Sequence, residues 1–413
     1  MPARIASGRI ALAAGLAAGT GAWVANLASS PAMAQGGVQG GVKVGELNSY
    51  SRFAAFAVPY RNGMQLAQEE INAKGGVLGG KLEIIFRDDG ATPSDAVRVA
   101  EELLTRENVA LLAGTFLSNV GLAVADFANQ KRTLFIATEP LTDAITMSAG
   151  NRYTFRIRPS TYMQTKMLVE AVKGKGVKKW AIVAPNYEYG QSAAANFKKL
   201  IKAATPDAEI AGEQFPALGK IDAGATVAAL ENLKPDGIFN VLFGADLTTF
   251  VREGNTRGLF EKRIVASLLT GEPEYLLPLG EETPEGWIVT GYPWDQISEP
   301  AHRAFVDAYR AKFNDTPRLG SFLGYSVGYM MRDLIAKAGS TDTEKLLATL
   351  QDFKFASVAG PVTIRALDHQ STMGAWVGET TRGGKVGSMK NWQYEDGAKY
   401  LFPEAEVRAQ RKD

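Results

Sequence analysis

Cysteine is absent from the 413 residues. That excludes disulfides, thiolate metal sites, a cysteine nucleophile and a lipid-modified N-terminal cysteine. Only two histidines occur, His302 and His369, far apart in the chain. A His-rich metal centre has nowhere to form, and imidazole acid–base chemistry has few places to live. An excess of basic charge is missing too: 45 Lys and Arg stand against 44 Asp and Glu. That balance argues against a nucleic-acid binder, which needs a basic face. Beyond residue 34 there is no apolar run long enough to read as a membrane span.

The first segment is an address. Arg4 and Arg9 precede an alanine-rich apolar stretch, Ile10–Leu27, and Ala32-Met33-Ala34 supplies a small–x–small cleavage site. This is the build of a secretory signal peptide. Gly and Asn interrupt the run, which opposes the alternative of an uncleaved anchor, and no arginine pair marks a twin-arginine signal. The expectation is a signal peptide over 1–34, a Gly-rich leader over 35–41, and an exported periplasmic protein without a lipid anchor. Cleavage leaves 43 basic and 44 acidic residues. A chain of this length exceeds one core, which rarely grows past roughly 250–300 residues, so two domains are expected.

Strand and helix patterns alternate along the rest. Val42–Leu47, Lys81–Arg87, Val109–Ala113 and Thr133–Ala137 read as strands, with helices at Pro59–Ala73, Pro93–Leu104 and Val120–Asn129 between them. The rhythm repeats through helices at Tyr162–Lys173, Gln191–Ala203, Thr226–Leu233 and Leu247–Asn255. Strands at Trp180–Ala184, Glu209–Phe215, Gly237–Leu242 and Arg263–Ser267 separate them. A strand at Gly286–Thr290, helices at Pro300–Phe313 and Ser321–Ala338, and a β-rich tail from Phe355 to Tyr400 follow. Such alternation implies parallel sheets covered on both faces. There are more units than one open sheet usually holds, so the expected fold is α/β, two doubly wound parallel-sheet lobes. Ligands bind at the carboxyl ends of the strands in such sheets, which here places the site in the cleft between lobes.

Two motifs imitate enzymes. Gly324-Tyr325-Ser326-Val327-Gly328 matches the G-x-S-x-G hydrolase elbow, with Asp352 and His369 following in hydrolase order. That elbow needs a strand before the serine and a helix after it. Here it lies inside one helical stretch, where small residues more simply allow close helix packing. Gly75–Leu82 nearly matches a phosphate loop, but Leu82 stands where a magnesium-binding hydroxyl is required, and a helix precedes it rather than a strand. The carboxylate pairs Asp88-Asp89 and Glu281-Glu282 read as solvated loop charges.

Several segments carry a resemblance: INAKGGVLGGKLEIIFRDDGATPSDAVRVAEELL (Ile71–Leu104), LLAGTFLSNVGLAVADFANQ (Leu111–Gln130), TFRIRPS (Thr154–Ser160), NYEYGQS (Asn186–Ser192) and GPVTIRALDHQ (Gly360–Gln370). Together they resemble the periplasmic solute-binding proteins of ABC importers, in particular the branched-chain amino-acid (leucine/isoleucine/valine) binding family, over essentially the whole mature chain. The resemblance implies the type I fold, with lobes joined by three crossings near Pro159, Val289 and Pro361. Lobe one would be 42–159 plus 289–361 and lobe two 160–288 plus 362–413. It implies capture of an amino acid or related small carboxylate or amide, no cofactor or metal, and delivery by a monomer to the permease subunits in the membrane. The alternatives are a ligand-sensing subunit of a receptor with the same fold and, less favoured, a serine hydrolase using Ser326.

The same resemblance marks candidate ligand contacts. Ser118 and Asn119 occupy the loop that holds the ligand carboxylate in the family. A helix N-terminus is a ready anion site, and the alternative is that Ser118 only caps that helix. Thr138 stands where the family uses small or hydroxyl residues, and Glu139 departs from that pattern, either reading an ammonium or facing solvent. Tyr187 and Tyr189 resemble the family's closing aromatic, with plain packing as the alternative. Asp246 either pairs with a cation or caps a helix. The family's acidic ammonium partner aligns to about Leu269, leaving Thr270 or Glu272 as substitutes. If neither serves, the ligand lacks an α-ammonium group and is an aromatic or aliphatic carboxylate or an amide. Asn48–Arg61 replaces the family's usual first loop, with Phe53 and Phe56 as pocket wall and Arg52 either a carboxylate partner or an exposed charge.

Overall fold

The computed structural model describes residues 41–412, so the expected signal peptide and most of the leader lie outside the described residues. Five strands make a first, wholly parallel sheet: β1 (Val42–Asn48), β2 (Leu82–Asp88), β3 (Leu112–Gly114), β4 (Phe135–Ala137) and β5 (Thr154–Arg156), in the order β2-β1-β3-β4-β5. Between them run helices α1 (Ala54–Ala73), α2 (Pro93–Thr105) and α3 (Ser118–Lys131). The second sheet takes β6 (Lys179–Val183), β7 (Glu209–Gln214), β8 (Gly237–Asn240), β9 (Ile264–Gly271) and β10 (Ile288–Gly291). Its helices are α4 (Thr161–Val172), α5 (Glu188–Ala204), α6 (Ala223–Leu233), α7 (Gly244–Arg257) and α8 (Pro273–Leu279). After β10 the chain forms α9 (Pro300–Phe313), α10 (Leu319–Ala338), α11 (Thr343–Leu350) and a small hairpin of β11 (Lys354–Ser357) and β12 (Gly360–Thr363). It then returns as β13 (Ala375–Gly383) and β14 (Val386–Glu395), and ends in α12 (Glu404–Gln410). The second sheet runs β14-β13-β10-β9-β8-β6-β7, with β13 and β14 antiparallel on one edge. Among the described residues no helix is long and apolar enough to cross a membrane.

Local chemistry accounts for these elements. Helix α2 starts where the Thr92 side chain accepts from the Asp95 N–H (3.3 Å) and Pro93 occupies the first turn, where its missing N–H costs nothing. Helix α1 begins at Ala54, five residues before the expected start, and runs through Pro59. A proline removes one internal hydrogen bond; burial of Phe56 and Ala57 in the preceding turn outweighs it. Val289 lies inside β10, paired to both β9 and β13, and Val362 and Ile364 belong to the apolar core shared with β1, α1 and α10. β10 continues past Val289 to Gly291, and the strand that carries Pro361 pairs with β11 in a sheet of its own.

The enzyme-like motifs resolve into packing. Ser326 lies in the middle of α10, and its hydroxyl donates to the Phe322 carbonyl one turn back (2.8 Å). A Cβ on Gly324 would sit 2.1 Å from the Tyr60 carbonyl oxygen of α1, and one on Gly63 of α1 would sit 2.1 Å from the Ser321 carbonyl oxygen of α10. The glycines let two backbones touch. His369 stacks on Phe155 at 3.9 Å, and Asp352 accepts from the Ala366 N–H. Gly75–Leu82 is a turn between α1 and β2, closed by the Val77–Gly80 bridge.

His302 makes the fold acid-sensitive. It is fully buried in α9 and shares a 2.7 Å hydrogen bond with the Tyr292 hydroxyl. Burial holds the imidazole down to about 4, against a small opposite pull from Glu299. The unfolded chain takes up a proton near pH 6.5 that the folded chain refuses. This contribution is therefore whole above about pH 6.5 and is lost as pH falls toward 4. In urea titrations the parent should lose about 2 kcal/mol more than His302→Gln across that window. Equal losses in the two proteins would remove His302 as the cause.

Candidate ligand-binding cleft

In each sheet the strand order reverses beside a central strand, between β1 and β3 in the first and between β6 and β8 in the second. Crevices for ligands open at such points, outside the carboxyl ends of the strands. The two crevices face one another. From the first come Phe116 and Ser118 after β3, and Glu139 and Leu141 after β4, with Arg158 just beyond β5; Phe53, ahead of α1, and Phe56, in its first turn, back Phe116 from the outer groove. From the second come Tyr187 and Tyr189 after β6, Phe243 after β8, Leu269 at the end of β9 and Tyr275 on α8.

Glycine is required where β3 turns into the site. Gly114 has φ +116°, and a Cβ there would meet the Leu47 carbonyl oxygen at 2.3 Å. The turn throws Phe116 forward. Its ring stacks on Phe56 at 5.0 Å and reaches Phe243 at 6.1 Å. Phe243 is the hub, with Phe53, Phe56, Tyr187 and Tyr189 also at 6.0–6.2 Å. Tyr275 lies 5.6 Å from Phe56. Rings from the two sheets therefore meet directly, and the space left between them is about 20 Å³, room for a water molecule but not for a solute until the rings part.

Polar groups are few and deep. Arg158 is buried and ion-paired with buried Glu272. Burial alone would lower the Arg158 pKa, but Glu272 first, then Tyr275, Glu139 and Glu274, more than offset it and the net shift is upward. Glu139 accepts from Asn48 Nδ2 (2.9 Å). Burial pushes its carboxyl up to about 7, with Asn48 and Arg158 opposing. Burial likewise raises Glu272 against the pull of Arg158. The buried hydroxyl of Tyr189 has no hydrogen-bond partner, an uncommon state for a buried polar group.

The sequence candidates divide. Ser118, Glu139, Tyr187 and Tyr189 converge on the cleft. Ser118 does not cap its own helix: its Oγ accepts from the backbone N–H groups of Leu141 (3.3 Å) and Thr142 (3.2 Å), tying the β4 loop to α3 and leaving its own proton to donate. Asn119 is half-buried in the same turn with its Oδ1 unpartnered, and Thr138 is fully buried, its hydroxyl beside that of Tyr60. Glu272 lies behind Arg158, lining a second small cavity with Phe322 and Trp376. Asp246 is not placed to meet a cation in the cleft: its carboxylate accepts from the N–H groups of Gly219 (2.7 Å) and Ile221 (3.4 Å). Thr270 is turned away and bonded to Ser267 Oγ (2.6 Å). Arg52 is exposed at the outer mouth, in a groove that Asp246 also lines.

Sequence reasoning passed over Arg158, Phe116, Phe243, Tyr275 and Glu274. One signal was available: Phe116 and Phe243 each fall between a strand end and a helix start, where the site must lie in this fold class.

Comparison with known proteins agrees with this geometry. A sequence model described as "Periplasmic binding protein" matches residues 41–385. The leucine-, isoleucine-, valine-, threonine-, and alanine-binding protein of Pseudomonas aeruginosa is 28% identical over 307 residues, 73% of this chain and 79% of that one. Among solved structures, a periplasmic binding protein from Burkholderia mallei superposes with a TM-score of 0.80 at 22% identity, over 90% of this chain and 99% of that one. A solute-binding protein of an ABC transporter from R. palustris, in complex with 4-hydroxybenzoate, superposes with a TM-score of 0.77 at 24% identity, over 86% and 97% of the two chains.

Proposed function

From the premise that this chain belongs to the periplasmic binding protein family, we propose that it captures an amino acid or a related small carboxylate or amide between its lobes and hands it, unaltered, to an ABC permease. The chain is a solute-binding protein of the type I fold, and its family is extracytoplasmic. We place lobe one at 42–159 plus 292–373 and lobe two at 160–291 plus 374–412, with the three passages between sheets as the hinge. In this reading residues 1–34 are cleaved on export and the protein works as a periplasmic monomer with no catalysis.

One observation carries the reading: Phe243 of lobe two bridges the rings of Phe53, Phe56 and Phe116 of lobe one, with Ser118, Glu139, Arg158 and Tyr189 in the same wall. Rings on both sides suit a solute with a flat or apolar body. The first-turn N–H groups of α3 and the Ser118 hydroxyl suit its carboxylate. Glu139 and the unpartnered Tyr189 hydroxyl suit a donor at its other end. The aromatic walls also favour the second reading, an aromatic acid, as in the R. palustris protein solved with 4-hydroxybenzoate. A receptor's ligand-sensing subunit would use the same cleft and differ only in its membrane partner.

The test is calorimetric titration of the mature protein with branched-chain and aromatic amino acids, benzoates and small amides. At a hundredfold excess over Kd a true solute should stabilise the protein by about 2.7 kcal/mol. Phe243→Ala should weaken binding of that solute roughly tenfold or more, since each aromatic pair adds about 0.5–1.5 kcal/mol beyond buried area. Silence across the whole panel would refute the reading.

A further inference from the structure

Helix α10 starts badly by its own resources. Its N-cap is Arg318, whose guanidinium has no acceptor for the helix's free N–H groups. Ser321 Oγ accepts from the Arg318 N–H (3.0 Å), which leaves the first two helical N–H groups to be satisfied from elsewhere. The acceptor comes from the other side of the cleft. Glu274 of α8 accepts from Gly320 N–H with Oε1 (3.0 Å) and from Leu319 N–H with Oε2 (3.3 Å). Helix α8 packs on β9, α7 and β14 of the second sheet, whereas α10 packs on α1, α11 and β11. Glu274 is buried in that position.

We propose that Glu274 is the closure latch of the molecule: a positioning residue that sets the open-to-closed equilibrium, and hence solute affinity, without touching the solute. This rests on the lobe-closing reading above. A carboxylate at the positive end of a helix is favourable where both are withdrawn from water. In an open molecule water hydrates both, so the interaction counts only in the closed form. It is also wired to the site. Tyr275, the next residue, lines the cleft, and the start of α10 presses on α1 beside Phe56, where a Cβ on Gly320 would lie 3.0 Å from the Phe56 carbonyl oxygen. The approach that brings Tyr275 to within 5.6 Å of Phe56 is therefore the same one that brings Glu274 onto α10. When the binding-competent form is only partly populated, apparent affinity falls by that fraction. Loss of the latch then appears as a shifted population and faster release, with entry unchanged.

The absence of cysteine makes the test clean, because Ser94→Cys, in the first turn of α2 beside Thr92 of the outer groove, and Lys220→Cys, on the groove's other wall, place the only two thiols, both exposed, on opposite lobes. Spin labels there report the interlobe distance with and without solute. Glu274→Ala should move the distance distribution toward the longer population, raise the release rate about tenfold or more and leave the association rate within twofold. Glu274→Gln, which keeps one acceptor oxygen, should fall between. The melting temperature of the solute-free protein should not change by more than about 2 °C, because a latch is not part of either lobe's core. Two populations that Glu274→Ala leaves unmoved overturn the latch alone. A drop in solute-free stability with no shift in distance assigns Glu274 a merely structural role. A parent that stays at one short distance under all conditions overturns the hinge reading and the latch with it.

Discussion

Arg158→Ala is expected to abolish measurable solute binding and to destabilise the protein by about 3–5 kcal/mol. Arg158 lines the closed cleft, and behind it lines the second cavity with Glu272. It faces Glu272, Glu139 and Glu274, all buried. Removing its guanidinium leaves Glu272 and Glu139 withdrawn from water without their cation, while Arg318 still acts on Glu274. Stability and binding are separated by a second variant. Replacing both members of a buried ion pair by apolar residues of similar size is often close to neutral. Arg158→Met combined with Glu272→Met should therefore regain most of the stability lost in Arg158→Ala while binding stays absent. Urea denaturation and calorimetric titration of the three proteins decide it. Binding retained by the double variant would remove Arg158 from the site.

The second large effect is at Gly324, where two principles oppose each other. In an exposed helix, Gly→Ala is favourable by about 1 kcal/mol. In α10 a Cβ on Gly324 would stand 2.1 Å from the Tyr60 carbonyl oxygen and 3.1 Å from the Met64 nitrogen, both backbone atoms of α1. Neither can rotate away, so the helices must separate, and overpacking of this kind costs about 1–3 kcal/mol. Packing should win. Gly324→Ala should lower the urea midpoint, and Gly324→Val should lower it further. Ser326→Ala is the control on the same helix: its hydroxyl only bonds back to Phe322, so the variant should stay within about 1 kcal/mol of the parent with solute affinity intact. A Gly324→Ala protein as stable as the parent would contradict the packing argument.

Legibility differed between fold and site for a physical reason. The strand–helix alternation was readable because helix and strand periods follow from burying one face of a locally hydrogen-bonded element, and that pattern is written in neighbouring residues. Helix α11 escaped despite a local signal, Asp342 capping the Lys345 N–H (3.1 Å) ahead of Leu346, Leu347 and Leu350. The place of β10 in its sheet, beside β9 and the distant β13, is likewise set by partners the local pattern does not show. Asp246 shows the limit in the site. An acid in the first turn of a helix reads equally as a cap or a cation partner, and only the approach of the Gly219–Ile221 loop decided that its oxygens go to backbone N–H groups.

The sequence by itself determined the class of fold, the family it resembles and the loops at strand ends where a solute must lie, because those follow from local periodicity and short-range motifs. The tertiary structure alone decided that Phe116 and Phe243 meet across the cleft, that Arg158 is walled in by acids, and that Glu274 closes onto α10. These are contacts between residues far apart in the chain, and their strength depends on exclusion of water, which exists only once the two halves are folded and brought together.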